Sequence, residues 1–225
     1  MKPLVLLSWS GGKDAAWALH ALRQRDDVEV VGLVTTITEG YERVAMQGIR
    51  VKVLHAQAGA AGLPVIEARM PQRASNDVYE QVFADALKSA RERWPGLEHI
   101  AFGDLFLADI RAYREALCAR LGWMPLFPVF GADTTQLARD MNDGGLRAHV
   151  CCVDTQQLEA AFSGRAFDAN LLQALPSGVD PCGENGEFHT CVWAGPMFDA
   201  PIPLERGETV LRDGRFAYTD FILAA

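Results

Sequence analysis

The sequence predicts an α/β protein, with a doubly wound parallel sheet followed by a smaller α+β region. Apolar runs of strand length alternate with helical spacings between residues 4 and 154. The runs are apolar on both faces, as strands covered by helices on each side must be. After about residue 155 glycine and proline become frequent, and short strand patterns replace the alternation.

The elements follow in order along the chain. Leu4–Ser8 predicts a buried strand, and residues 13–25 predict a helix directly after a glycine turn. The next predicted elements are strand 28–36, helix 47–62, strand 64–70, helix 76–93, strand 99–104, helix 109–121, strand 125–130, helix 134–142 and strand 146–154. Asp213-Gly214 predicts a hairpin turn between two final strands. We place the boundary between the two regions at residues 135 and 136.

Composition and charge narrow the class of protein. The chain has 225 residues, of which 49% are hydrophobic and 22% charged, so a packed core is expected. No apolar run reaches the roughly 18 residues that a membrane span needs, and the apolar run before the glycines is short for a signal peptide. We therefore expect a cytoplasmic protein without a membrane segment.

The net charge of −8 argues against a nucleic-acid partner. The chain has 21 basic and 29 acidic residues, and it contains no basic run. Proteins that bind the phosphate backbone of a nucleic acid usually carry a basic stripe. A small anion held in one pocket by backbone donors is compatible with this charge.

The turn Ser10-Gly11-Gly12-Lys13-Asp14 is the strongest local signal for a phosphate site. It fits neither the Walker pattern nor the dinucleotide pattern. Adjacent glycines allow backbone N–H groups to approach an anion, and the following helix adds its positive end. Lys13 adds a charge, and Asp14 is suited to hold Mg²⁺. An ordinary glycine-containing strand–helix turn stays open as the alternative.

The position of this turn strengthens the signal. It follows the first strand, and two further polar features, the loop after Thr36 and the pair Gly103-Asp104, follow other predicted strands. Ligands of doubly wound sheets bind beyond the carboxyl ends of strands.

Two motifs together resemble a known family. The turn resembles the pyrophosphate loop, S-G-G-x-D-S, of the N-type ATP pyrophosphatases. Residues 178–190, GVDPCGENGEFHT, are similar to the G-E-x-G-E signature of the diphthine–ammonia ligase family. Smaller matches are Arg111, Glu115 and Cys118 after Gly103, and the segment 195–198. The likeness spans nearly the whole chain and is closest to short bacterial-type members.

The resemblance implies a fold and a reaction. The fold is a Rossmann-like sheet of the HUP type, with residues 1–135 binding ATP and residues 136–225 binding the substrate. ATP adenylates a carboxylate, pyrophosphate leaves, and ammonia attacks the acyl-adenylate to give an amide. Donors fixed where charge develops on pyrophosphate, together with Mg²⁺, suit this chemistry.

The resemblance also implies site residues. The ATP-binding residues are Ser8, Ser10, Gly11, Gly12, Lys13, Asp14, Val34, Thr35, Thr36, Gly103 and Asp104. The substrate-binding residues are Arg43, Arg50, Arg111, Glu184, Asn185, Gly186, Glu187, Phe188, His189 and Thr190. The catalytic residues are Lys13, Asp14, Glu184 and Glu187, with Asp14 as the ligand of the metal.

One departure keeps other functions open. Position 15 is alanine where the loop has serine, and losing a hydroxyl that bonds a phosphate costs about 1.5–3 kcal/mol unless Ser8 or Ser10 compensates. A non-catalytic ATP-binding protein is therefore one alternative, and a tRNA-modifying enzyme with the same loop is another. The sequence does not identify the acceptor, and it leaves open whether the protein is a homodimer.

Overall fold

Residues 2–224 are described by a computed structural model and form two sheets with helices packed on them. In chain order the strands are β1 (Leu4–Ser8), β2 (Glu29–Thr38), β3 (Arg43–Val44), β4 (Val65–Met70), β5 (His99–Ala101), β6 (Met124–Leu126), β7 (Arg147–Asp154), β8 (Phe188–Ala194), β9 (Leu204–Arg212) and β10 (Phe216–Leu223). The helices are α1 (Lys13–Arg23), α2 (Val51–Ala60), α3 (Asn76–Arg93), α4 (Ala108–Leu121), α5 (Thr134–Asp143) and α6 (Ala169–Ala174). The predicted fold class is confirmed.

The first sheet brings three strand ends to one edge. Its parallel strands lie in the spatial order β4-β2-β1-β5-β6, and β3 pairs antiparallel with the carboxyl end of β2. Ser8 is paired with Val34 and Leu7 with Ala101, so β1, β2 and β5 end side by side. The chain moves outward from β1 through β2 to β4 and then crosses to β5. The crevice at this reversal is where ligands of such sheets bind.

Alternating residues of the strands fill two cores. Leu6, Val34 and Ile100 pack toward α3 and α4 on one face of the sheet. Val5, Leu7 and Leu33 pack toward α1 and α2 on the other. Helix α1 is apolar on more than one side and contacts β8 of the second sheet as well as the first sheet.

The second sheet is antiparallel, in the order β8-β7-β10-β9. Its hairpin turns at Asp213-Gly214 as predicted, with Arg212 paired to Phe216. Strand β8 packs on α1 and therefore lies over the glycine turn that precedes this helix. The predicted division at residues 135 and 136 lies within α5 and stays a prediction. Within residues 2–224, none of the helices combines the length and the apolarity that crossing a bilayer requires.

Two predicted elements are wrong in extent. The helix predicted from residue 47 begins at Val51, because Met46 and Gly48 have φ angles of 68° and 69°, which an α-helix excludes. These residues form a turn closed by a 2.8 Å hydrogen bond from Val44 N to Ile49 O. The strand predicted to residue 130 ends at Leu126, and Pro128 beyond it lacks the N–H that a sheet ladder needs.

The glycine-rich segment also contains a strand that the sequence analysis missed. The resemblance implies a loop over residues 178–190, but β8 begins at Phe188 and carries His189 and Thr190. The period-two pattern of β8 is short and follows a segment rich in glycine, with proline and asparagine, so local signals favour a loop. Two smaller differences are the end of α1 at Arg23 and the end of β5 at Ala101.

Candidate active site

The glycine turn needs both of its glycines. Gly11 has a φ of 77°, and a Cβ there would lie 2.6 Å from Gln57 Oε1. Gly12 caps α1 without a side-chain acceptor. At Gly12 a Cβ would lie 3.2 Å from Thr190 O. The turn therefore presents backbone and the positive end of α1 to the crevice, which suits an anion.

Lys13 is buried at the centre of the site. Its side chain is 2% exposed, and Nζ donates to Asp14 Oδ2 at 2.9 Å and to the carbonyl oxygen of Cys182. The rings of Phe167 and Phe188 lie 5.7 and 5.4 Å from Nζ. Burial lowers the pKa of Lys13, but Asp14, together with Cys182 and Glu184, outweighs this effect and holds the pKa above its ordinary value. Lys13 is thus a charged ammonium that joins the turn to residues 178–190.

Two carboxylates at the crevice have oxygens without donors. Asp14 Oδ1 and Asp104 Oδ2 are buried and accept no hydrogen bond within residues 2–224, and Arg114 Nε lies 3.8 Å from Asp104 Oδ2. Burial raises the pKa of both groups. The nearby Asp14 carboxylate raises the pKa of Asp104 further. Orphaned carboxylate oxygens are what a hard cation such as Mg²⁺ binds. The described chain offers no cluster of three ligating side chains, so further ligands would be phosphate and water.

Asp180 and Glu187 hold the glycine-rich segment in shape. Asp180 Oδ2 accepts from the N–H groups of Cys182 and Glu184 at 3.1 and 2.9 Å. Glu187 Oε1 accepts from Asp180 N and Asn185 Nδ2 at 2.9 and 3.1 Å. The Glu187 side chain is 2% exposed, and its Oε2 finds no partner in the described chain. Within this segment Gly186 forms part of the turn before β8, with a φ of 83°.

Glu184 crosses to the first sheet. Its Oε1 accepts from Leu105 N at 2.7 Å and Phe106 N at 3.4 Å, just beyond the carboxyl end of β5. Burial raises the pKa of Glu184 to about 7, and the nearby Asp14 adds to the shift. Glu184 is therefore poised to gain or lose a proton near neutral pH. His189, by contrast, is neutral there because burial lowers its pKa to about 4.

Val34, Thr35, Thr36 and Gly103, which the resemblance assigns to ATP binding, lie in the carboxyl-terminal half of β2 and just beyond the end of β5. Trp9 N donates to Val34 O at 2.8 Å, which holds the turn beside β2. Thr35 is 2% exposed, and its Oγ1 lacks a partner within residues 2–224. Thr36 O accepts from Ala45 N at 3.0 Å. Gly103 lies against the first turn of α1, where a Cβ would come within 2.8 Å of Ala15 N.

The serines and Ala15 complete the turn. Ser8 ends β1, and Ser10 Oγ accepts from Gly12 N at 3.3 Å, so its hydroxyl already helps to shape the turn. Ala15 is 3% exposed and belongs to the core beside α1.

The predicted arginines lie apart from Lys13. Arg43 and Arg50 both bind Asp220, at 2.9 and 2.5 Å. Arg111 pairs with Glu115 at 2.8 Å, and its guanidinium carbon lies 4.6 Å from the centre of the Phe130 ring. The structure thus brings Lys13, Asp14, Asp104 and Glu184 together and places the arginines at other contacts.

Gln57 is a site residue that the sequence did not reveal. It is fully buried and donates to Gly11 O at 3.0 Å and to Val192 O at 2.7 Å, while its Oε1 accepts from Trp9 Nε1 at 3.2 Å. Strand β8 adds two bonds of its own: Val192 N donates to Gly11 O at 3.0 Å, and Lys13 N donates to Thr190 Oγ1 at 3.0 Å. A lone glutamine in a helix carries no motif, so only the packing of α2 identifies it.

Gln57→Leu is expected to destabilise the fold by about 2–6 kcal/mol, because two buried groups, Trp9 Nε1 and Val192 O, lose their partners at about 1–3 kcal/mol each. Urea unfolding measures the change. Gln81→Leu is the control, since Gln81 bonds Asp85 on the surface of α3 and its loss is expected to cost under about 0.5 kcal/mol. Equal losses in the two variants would contradict the bridging role.

Comparisons with known proteins match two successive segments of the chain to one family. Residues 1–125 match the model of the diphthamide synthase N-terminal domain, and residues 133–217 match that of the C-terminal domain. The chain is 27% identical to diphthine–ammonia ligase of Schizosaccharomyces pombe and 22% identical to that of Saccharomyces cerevisiae, over 93% and 88% of its length. It is 32% identical to the Danio rerio enzyme over 52% of its length. It spans 37%, 33% and 48% of these relatives.

Proposed function

Because the chain belongs to the diphthamide synthase family, we propose that it is an ATP-dependent amide ligase that forms AMP and pyrophosphate. It adenylates a carboxylate and amidates it with ammonia. The observation that carries this proposal is Lys13, which links the glycine turn to Cys182 in the glycine-rich segment. One buried ammonium thus contacts both the phosphate site and the acceptor segment. This suits a reaction in which the acceptor bonds to a phosphorus of the nucleotide.

In the proposed reaction the glycine turn binds the triphosphate of ATP. Ser10, Gly11 and Gly12, with the first turn of α1, supply donors to the pyrophosphate as its charge grows, and Lys13 moves from Cys182 O to a phosphate oxygen. Asp14 and Asp104 would hold Mg²⁺, whose bound charge neutralises the leaving pyrophosphate. Adenine fits between Val34–Thr36 and Gly103, at the chain reversal of the sheet.

In the amidation step Glu184 acts as the general base. The nitrogen of ammonia bonds to the acyl carbon, and AMP leaves with the electron pair of the broken C–O bond. The extra proton on nitrogen passes to the Glu184 carboxylate, which is a competent base because its pKa is about 7. Glu187 positions the segment by binding Asp180 N, and Asn185, Phe188, His189 and Thr190 form its wall.

The acceptor is a carboxylate, as a small molecule or a modified protein side chain. The relatives' names specify diphthine, and the same acceptor is the first to test here. Arg43, Arg50 and Arg111 remain candidate contacts for an acidic acceptor, with residues 1–135 holding ATP and residues 136–225 the acceptor. Each of these arginines already has an acidic partner in the chain, so an acceptor would compete for it.

An oxygen-18 transfer experiment tests the proposed reaction. Mg–ATP, ammonium and a diphthine-bearing protein labelled with oxygen-18 in the carboxylate are incubated with the chain. Adenylation predicts that AMP carries one labelled oxygen for each amide formed, because the carboxylate oxygen leaves with the phosphoryl group. ADP as the product would overturn the proposal, and unlabelled AMP would exclude adenylation of the carboxylate.

A non-catalytic ATP-binding protein is the second candidate, and Ala15 favours it. Calorimetry with Mg–ATP on the wild type and Ala15→Ser separates the two. Binding without turnover in both proteins, with the acceptor present, would support the second candidate. A tRNA-modifying role has only the shared loop in its favour and is disfavoured by the net charge of −8.

The activity is expected to rise with pH through about 7, because Glu184 must be a carboxylate to accept the proton. The concentration of free, unprotonated ammonia is held constant at each pH, so that the protonation of ammonia does not contribute to the profile. Glu184→Gln is expected to lower kcat by about 10²-fold or more and to remove this rising limb of the pH profile. Glu92→Gln, on the exposed face of α3, is the control. Persistence of the limb in Glu184→Gln would assign it to another group.

A further inference from the structure

A cavity of about 570 Å³ lies away from the glycine turn. It opens between the carboxyl ends of β2 and β4, the strand β3 and the β9–β10 hairpin. None of its lining residues belongs to residues 8–14 or 178–190. Its volume lies within the range of about 300–1,000 Å³ that is typical of small-molecule sites.

The charged side chains around the cavity favour an anion. Arg43, Arg73 and Arg212 line it, against the carboxylates of Asp213 and Asp220. Asp220 is already shared by Arg43 and Arg50. Arg73 and Arg212 are exposed and, among the residues that the structure describes, neither pairs with a carboxylate. Two guanidinium groups therefore face the cavity with their charge unneutralised.

The apolar side chains around the cavity are unusually exposed. Met46, Tyr41 and Leu211 are 70%, 63% and 59% exposed, the highest values for large hydrophobic residues in the described chain. All three line this cavity. Apolar surface left in water at one place marks a binding site more often than scattered single residues do.

The backbone around the cavity is strained. Within residues 2–224, positive φ angles at non-glycine residues occur at Glu42, Met46, Arg73 and Asp213, between 50° and 68°. Three of these four residues line the cavity, and Glu42 precedes a fourth lining residue, Arg43. Such conformations cost free energy and cluster where side chains are held for a ligand.

We propose that this cavity is a second ligand site, which binds a small organic anion, a carboxylate or a phosphate monoester, with an apolar body. Arg73 and Arg212 bind the anionic group, and Tyr41, Met46 and Leu211 cover the body. The strained loops place these side chains around one space. The site is separate from the nucleotide turn, and Arg43, a candidate acceptor contact, also lines it. The anion site formed by Arg73 and Arg212 is proposed whether or not the chain is a ligase.

Calorimetry with 2-naphthoate and its uncharged analogue 2-naphthamide tests the site in the full chain. The anion is expected to bind about tenfold tighter than the amide, and Arg73→Gln/Arg212→Gln is expected to raise its Kd about tenfold or more. Arg139→Gln on α5 is the matched control, since Arg139 is also exposed and lies outside the cavity. 2-Naphthyl phosphate is titrated in parallel, and tighter binding than 2-naphthoate identifies a phosphate as the preferred group.

A second measurement on the wild type locates the probe. With carbon-13 in the methionine methyl groups, 2-naphthoate is expected to shift the Met46 resonance through the ring current. The resonances of Met141 and Met197, which are fully buried elsewhere, should not move. Equal affinity for naphthoate and naphthamide, displacement of the probe by Mg–ATP, or an unmoved Met46 signal would each overturn the proposal.

Discussion

Lys13→Met is expected to lower kcat/KM for ATP by about 10²–10³-fold, the loss typical of removing one donor to a developing negative charge. Lys13 is a buried cation of the site. Its Nζ binds Asp14 and the carbonyl of Cys182, so its loss affects both the phosphate turn and the glycine-rich segment. Pyrophosphate release under single-turnover conditions measures the chemical step, and calorimetry measures Mg–ATP affinity.

The loss of the ammonium has a structural consequence that must be measured separately. Lys13→Met leaves the Asp14 carboxylate without its cation, so thermal unfolding is recorded for the same preparations. Lys52→Met is the control, because Lys52 is an exposed lysine near the start of α2. A folded Lys13→Met protein with unchanged kcat/KM would exclude Lys13 from the reaction.

Gly103→Ala is expected to destabilise the fold and to weaken Mg–ATP binding together. A Cβ at residue 103 would lie 2.8 Å from Ala15 N and 2.8 Å from the carbonyl carbon of Asp14. Both are backbone atoms, which cannot rotate away, so α1 must move relative to β5. Overpacking of this kind costs about 1–3 kcal/mol. The displaced first turn of α1 carries Lys13 and Asp14, and the nucleotide site moves with it.

Gly59→Ala is a control with the opposite expected sign. Gly59 lies in α2, and no atom stands within 4 Å of a Cβ built there. Alanine is the better helix former, so this variant is expected to gain about 0.4–1 kcal/mol. Urea unfolding of both proteins gives the difference. A Gly103→Ala protein as stable as the wild type would mean that α1 and β5 do not pack as closely as described.

The local patterns of the sequence predicted the part of the fold that positions the nucleotide. The strand Leu4–Ser8 and the helix Asn76–Arg93 have the predicted bounds, and Asp213-Gly214 turns the last hairpin. These elements were predictable because the side-chain period, the glycines and the helix stops lie close together in the chain. The end of the turn, from residue 47, was predicted as helix, because nothing in the helical spacing indicates the positive φ angles of Met46 and Gly48.

The partners of the site residues were not predictable from the sequence. The resemblance names Glu187 as a catalytic residue and assigns no role to Asp180, and only the folded segment shows both carboxylates binding backbone N–H groups. Gln57 carries no sequence signal, yet it joins Trp9, Gly11 and Val192.

The sequence by itself determined the α/β class, the glycine turn after β1 and the family to which the chain belongs. Each of these depends on neighbouring residues or on a motif of fixed spacing. Only the tertiary structure decided that Lys13 binds Cys182, that Glu184 reaches Leu105, and that the pKa of Glu184 rises to about 7. These properties depend on burial and on contacts between residues 79 to 169 positions apart, and both arise only when the two sheets pack around α1.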